Sequence, residues 1–95
     1  MNKHIILLFI ILCIGLTRAS AQHSITGKVL DATNQEPIPF ASVTIKNVKS
    51  GTTTDNNGNF TLKVNNNDIL IVSFMGYETK EVNIGTQKKV TILLS

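Results

Sequence analysis

Few residues in this 95-residue chain could act as ligands, bases or nucleophiles. There are two histidines and one cysteine, and His4 and Cys13 both lie near the N-terminus, which leaves His23 alone in the body of the chain. A zinc site needs at least three side-chain ligands held together. The sequence contains no H-x-x-E, no H-E-x-x-H and no cysteine after Cys13. Ser24, Ser42, Ser50, Ser73 and Ser95 have no G-x-S-x-G context and no evident base. The residues therefore indicate no enzyme, no metal and no cofactor.

Three weaker signals have plainer readings beside them. Asp55-Asn56-Asn57-Gly58-Asn59 resembles a calcium loop, but an EF-hand places glycine sixth and a bidentate Glu twelfth. Here glycine is fourth and the twelfth position is Asn66, so a turn is the better reading. Asn59-Phe60-Thr61 matches a glycosylation sequon, yet it opens a strand that looks buried. Phe40, Phe74 and Tyr77 could stack on sugars, although with no tryptophan and one tyrosine a core role for Phe74 and a corner role for Tyr77 fit better.

The elements that must carry these residues are arranged around Gly51 to Phe60. Thr52-Thr53-Thr54 favours an extended backbone. Asp55 and the asparagines can bond their own backbone, and Gly58 adopts a positive φ freely. Phe60 to Val64 then alternates apolar and polar residues. The pattern predicts a hairpin with its tip at Asp55 to Asn59.

The N-terminus has the three regions of a secretory signal. Met1 to His4 is short and basic, Ile5 to Leu16 is apolar, and Ala19-Ser20-Ala21 supplies an A-x-A cleavage site before Gln22. Twelve apolar residues are fewer than the roughly 20 that cross a bilayer. Large residues before Cys13 argue against lipid attachment there. Residues 1–21 are thus expected to be a helical signal peptide and 22–95 an exported domain without cysteine, held together by packing alone. The whole chain carries a formal +3, but the part from Gln22 has seven lysines against six acids, or +1. No basic patch with interleaved aromatics suggests nucleic acid.

From Gln22 onward the pattern predicts strands throughout. Ser24 to Leu30 alternates, and Asp31 to Gln35 is a polar loop. Pro37 and Pro39 forbid a helix over the next stretch. Ala41 to Lys46 alternates, Val48 to Gly51 turns, and Asn65 to Asp68 turns again. Ile69 to Met75 is apolar at successive positions, which predicts a strand covered on both faces. Gly76-Tyr77 breaks the run, Glu78 to Ile84 is a more exposed strand, Gly85 to Lys88 turns, and Val90 to Leu94 closes the chain. The inward set is Ile25, Val29, Ile38, Ala41, Val43, Ile45, Phe60, Leu62, Val64, Leu70, Val72, Phe74, Val82, Ile84, Val90, Ile92 and Leu94. About seven short strands suggest a small antiparallel β-sandwich, with Glu78–Ile84 and Val90–Leu94 as candidate edges.

Four motifs occur in order: G-x-V-x-D at Gly27 to Asp31, P-I-P-x-A-x-V-x-I at Pro37 to Ile45, G-T-x-T-D-x-x-G-x-F at Gly51 to Phe60, and S-F-x-G-Y at Ser73 to Tyr77. Together they resemble the carboxypeptidase-regulatory-like domains. The positions that carry the resemblance are Gly27, Asp31, Pro37, Ala41, Gly51, Thr52, Asp55, Gly58, Phe60, Gly76 and Tyr77. It implies a seven-stranded, transthyretin-like (prealbumin-like) sandwich. It also implies a periplasmic module like the N-terminal extension of SusC-type TonB-dependent outer-membrane transporters of Bacteroidetes, which take up glycans or nutrients. The resemblance carries no peptidase activity, since such domains are neighbours of the catalytic unit. The histidines and arginines of transthyretin-like hydrolases are missing here too. No TonB box, plug or barrel follows within these 95 residues, so the chain reads either as a free-standing module or as a piece of a longer receptor.

Two functions remain open at this point. One is a non-catalytic interaction module with a protein partner, or a fused barrel, at the outer membrane. The other is a small carbohydrate-binding, starch-binding-like module whose partner is a glycan.

Overall fold

The computed structural model describes residues 22–95. The signal-peptide reading, with Ala19 and Ala21, lies outside the described residues. The domain has seven strands: β1 (Gln22–Asp31), β2 (Ser42–Ile45), β3 (Gly51–Thr53), β4 (Asn59–Asn65), β5 (Ile69–Ser73), β6 (Lys80–Asn83) and β7 (Lys89–Leu94). They form a three-stranded sheet of order β4-β1-β7 and a four-stranded sheet of order β3-β2-β5-β6. No helix occurs among the described residues. The architecture is the expected all-β sandwich. The one exception to antiparallel pairing is β7, which runs parallel to β1.

Alternation along each strand builds the core. In β4 the residues alternate exposed and buried without a break, and Phe60, Leu62 and Val64 point inward. A two-residue side-chain period leaves one face apolar, and burial of that face drives the sheets together. Among the described residues fourteen apolar side chains are buried, all of them in the predicted inward set. The other three, Phe74, Val82 and Val90, pack half-buried against them.

Two local expectations fail. The hairpin at Asp55 to Asn59 does not form, because β3 pairs with β2 and β4 pairs with β1. The tip is tight, as its residues dictate: Asp55 Oδ1 accepts the Asn57 and Asn59 N–H groups, and Gly58 N–H reaches Asp55 C=O. The chain then crosses from one sheet to the other instead of folding back on itself. Turn chemistry fixes the local reversal, but period-two alternation says nothing about which strand becomes the neighbour.

Ile69 to Met75 is not covered on both faces. In β5, Leu70 and Val72 are buried while Ile69 and Ile71 are half-exposed, and Met75 is 87% exposed. The half-covering has a source in the neighbouring strands. Lys46, just after β2, meets Glu81 of β6 at 2.9 Å, and β5 lies between those two strands. The link therefore spans the outer side of β5, where long side-chain stems can shield apolar surface.

Candidate functional site

The positions that carry the family resemblance come together as internal contacts of the fold. Gly27 pairs with Phe60 across β1 and β4. A Cβ on Gly27 would stand 2.3 Å from the Phe60 ring, so the glycine makes room for the aromatic. Gly51 is similarly tight, since a Cβ there would stand 2.7 Å from Val43 O. Gly58 has φ +75° and sits against Val29 O, Pro37 and the Ile38 backbone, while its C=O accepts the Val29 N–H at 2.8 Å. Ala41 is fully buried, and Thr52 lies opposite Val43. Gly76 has φ +88° with open space where a Cβ would be.

Asp31 and Tyr77, 46 residues apart, share a 2.6 Å hydrogen bond from the phenol to Asp31 Oδ2. Asp31 Oδ1 accepts the N–H groups of Thr33 and Asn34. The phenol donor, and after it the Thr33 N–H, hold the Asp31 carboxyl below its usual range. The same carboxylate, and then burial, push the Tyr77 phenol above its usual range. This is hydrogen bonding to the charged form of one partner and the neutral form of the other. Tyr77 thus ties the β5–β6 corner to the end of β1, and its ring lies 6.3 Å from that of Phe74.

Sequence reading missed Thr54. It is 2% exposed. Its hydroxyl donates to Ile38 C=O at 2.6 Å and accepts from Ala41 N–H at 2.8 Å. It is the buried polar member that joins the Gly51–Phe60 motif to the Pro37–Ile45 motif. The signal was its place after two threonines, next to Asp55, where strand alternation alone would not separate it from Thr52.

No catalytic constellation is assembled by these elements. His23 Nε2 lies 3.0 Å from Gln87 O, and among the described residues no three His, Cys, Asp or Glu side chains gather as a metal site would require. Asp55 spends Oδ1 on its own loop.

The sheet edges are the remaining places with unsatisfied geometry. β3, β4, β6 and β7 are edge strands, which includes both predicted edges. The β4 edge is closed at its two ends. Asn59 exchanges bonds with Asp55, and Asn65 exchanges bonds with Asp68. The far end of β7 is closed as well, because Lys80 Nζ donates to Leu93 C=O at 3.2 Å and Glu78 N–H to Ser95 C=O at 2.8 Å. In β6, Ile84 N–H faces Asp68 of the neighbouring segment. By the alternation of an antiparallel ladder, Glu81 and Asn83 turn their N–H and C=O groups to the open side.

The profile of the CarboxypepD_reg-like domain matches residues 25–95. The chain is similar to the TonB-dependent receptor SusC of Bacteroides thetaiotaomicron, with 34% identity over 92 residues, which covers 97% of this chain and 9% of the receptor. It is also similar to the TonB-dependent receptor P3 of Formosa agariphila, with 28% identity over 93 residues and the same coverage of both chains. The chain spans about a tenth of the length of these curated relatives. With the motif residues locking one sheet to the other and the profile running from β1 to the last residue, the chain belongs to the CarboxypepD_reg-like domain family.

Proposed function

We propose that this domain is a non-catalytic module of the bacterial envelope. It binds and positions a protein partner, as the N-terminal extension of a TonB-dependent receptor for glycan or nutrient uptake would. In this reading the protein is exported, is cleaved before Gln22, and works in the periplasm beside the outer membrane. The receptor relatives support the setting. The observation that carries the partner role is the β6 edge, whose backbone groups at Glu81 and Asn83 face outward beside a charged side chain, while β4 is closed at both of its ends and β7 at its far end. An extended peptide can add to such an edge through main-chain hydrogen bonds. A neutral-sugar module would want a platform of exposed aromatic rings; Phe74 and Tyr77 instead pack against the core, and Phe40 stands exposed without an aromatic neighbour.

The test places a photo-crosslinking residue at Glu81 and, as a control, at Asn65 of β4, whose N–H and C=O are both taken by Asp68. Envelope extract is then added and adducts are identified by mass. Adducts to one envelope protein from position 81 and not from 65 are expected. Equal labelling from both positions, or none from 81, would overturn the reading.

A further inference from the structure

We infer that the outer face of the β4-β1-β7 sheet binds an acidic polysaccharide, a chain bearing carboxylate or sulfate groups. This inference stands apart from the β6 reading, which concerns the opposite sheet.

Charge on the domain is divided by face. The side chains turned outward from β1, β4 and β7 include Lys28, Lys63 and Lys89, all exposed, and no Asp or Glu. The one acid within these strands is Asp31 at the end of β1, and its carboxylate is occupied by Tyr77, Thr33 and Asn34. In the flanking segments, Asp55 and Asp68 are engaged with the two ends of β4, and Glu36 and Glu78 stand beyond the far ends of β1 and β7. At the second sheet Lys46 is engaged with Glu81 and Lys80 with Leu93 C=O, which leaves Lys49 in the β2–β3 loop. Among the described residues none of the three face lysines is in an ion pair. A near-neutral domain thus presents one face that is wholly positive.

The same face has a shallow, open depression of about 480 Å³. Two rows wall it. Thr61, Thr26 and Lys89 form one row across the three strands, and Asn59, Lys28 and Thr91 form the other. Between the rows the register passes through Phe60, Gly27 and Val90. Phe60 and Val90 pack toward the core and Gly27 has no side chain, so backbone forms the floor. With strands about 4.8 Å apart and alternate residues about 6.8 Å apart, the Lys28 and Lys89 stems start roughly 8 Å from each other, and those of Lys63 and Lys89 roughly 12 Å. Lysines anchored at this spacing, interleaved with hydroxyl and amide groups, suit a hydrated chain with repeating negative charges.

Other polyanions fit less well. Protein interface cores are depleted in Lys and enriched in aromatic residues, and no aromatic side chain points outward here. Single-stranded nucleic acid relies on aromatic stacking as well as charge.

The experiment titrates the full chain with polygalacturonate, dextran sulfate and neutral dextran, and in parallel with polyglutamate and with phosphatidylglycerol vesicles. Binding to either charged glycan that weakens as salt rises is expected, with none to neutral dextran. Lys28→Gln and Lys89→Gln should each weaken binding roughly threefold to fivefold, as expected for about one positive charge near an anionic surface. Lys46→Gln, on the other sheet, should leave it unchanged, and thermal melts confirm that each variant is folded. The proposal is overturned if neither charged glycan binds, if neutral dextran, polyglutamate or vesicles bind equally well, or if Lys46→Gln weakens binding as much as the face variants.

Discussion

Gly58 can separate backbone strain from steric contact in one series of variants. Among the described residues three glycines hold left-handed angles: Gly58 at +75°, Gly76 at +88° and Gly85 at +56°. They differ in surroundings. A Cβ at Gly76 or Gly85 meets nothing within 4 Å, whereas at Gly58 it stands 2.7 Å from Val29 O and 3.1 Å from Pro37 Cβ. Alanine at Gly76 or Gly85 should therefore incur only the conformational penalty, about 1–2 kcal/mol for an L-residue in this region. Alanine at Gly58 incurs that and must also push back a backbone oxygen. That oxygen accepts the Ile38 N–H at 3.0 Å, and the Val29 N–H bonds Gly58 O at 2.8 Å. Weakening one such bond adds about 1 kcal/mol. Gly58→Ala should then destabilise by about 2–4 kcal/mol, and Gly58→Val by more. For a domain of this size about 1 kcal/mol moves the melting point by roughly 4–8 °C, so the difference from Gly76→Ala is well within reach of thermal melts. Asn56→Ala, on the exposed tip, should change stability by no more than about 0.5 kcal/mol. If Gly58→Ala melts with Gly76→Ala, the close approach to Val29 has no energetic weight. If it melts with Asn56→Ala, the positive φ has none either.

Thr54→Val should be destabilising by about 1–3 kcal/mol in urea unfolding, because it leaves the buried Ala41 N–H without its acceptor, while Thr54→Ser, which keeps the hydroxyl, should lose less. Gly27→Ala should unfold at lower denaturant, since the Phe60 ring at 2.3 Å must move; Gly27→Ala with Phe60→Leu should recover part of the loss. The Asp31 carboxyl titrates below its usual value in the folded protein, so its stabilising contribution is complete above the unfolded pKa of about 3.9 and disappears as pH falls through the lower folded value. Tyr77 titrates above its usual value, so its contribution is complete below about 10 and disappears as pH rises through the higher folded value. Melting points of Tyr77→Phe across the pH range should lose the alkaline dependence and weaken the acid one, since the Thr33 and Asn34 N–H groups stay on Asp31, and an unchanged acid limb would refute the pairing.

The core was legible because burial in a sandwich is written in a two-residue period, and that period is clean in β1, β2, β4 and β7. What the pattern could not carry was partnership. Thr52-Thr53-Thr54 and Phe60 to Val64 read as a hairpin because both sides alternate around a good turn. Their pairing instead depends on Thr54 turning inward to Ile38 and Ala41, a contact between motifs that are distant in sequence. Ile69 to Met75 read as doubly covered because apolar residues do not disclose whether a second layer exists. Here a Lys46–Glu81 pair takes that place, and such exposed pairs are weak. Edge strands were partly legible from charge at Glu78, Lys80 and Glu81. Their capping was not, since the Asp55, Asp68 and Lys80 bonds join residues to edges formed only on folding.

The motif positions have internal partners, and this bears on where function can reside. Gly27 is filled by Phe60, Asp31 by Tyr77, and Gly58 by Val29 and Pro37. A residue committed to such a contact is not available to a ligand without breaking the sandwich. The features that mark the family therefore describe a scaffold and are silent about what it holds. Recognition must use positions the scaffold leaves free, which are the outward residues of the strands, the open edge groups, and loop side chains such as Phe40 and Met75. Phe40 has its own constraint: it holds φ +61° with its N–H on Thr54 C=O, and the residue is 66% exposed. A bulky residue in that region is uncommon, and here the buried Thr54 anchors it from within the core. Two members of this family could thus share every motif residue and bind unrelated partners. What would differ is the set of outward side chains on β1, β4, β6 and β7.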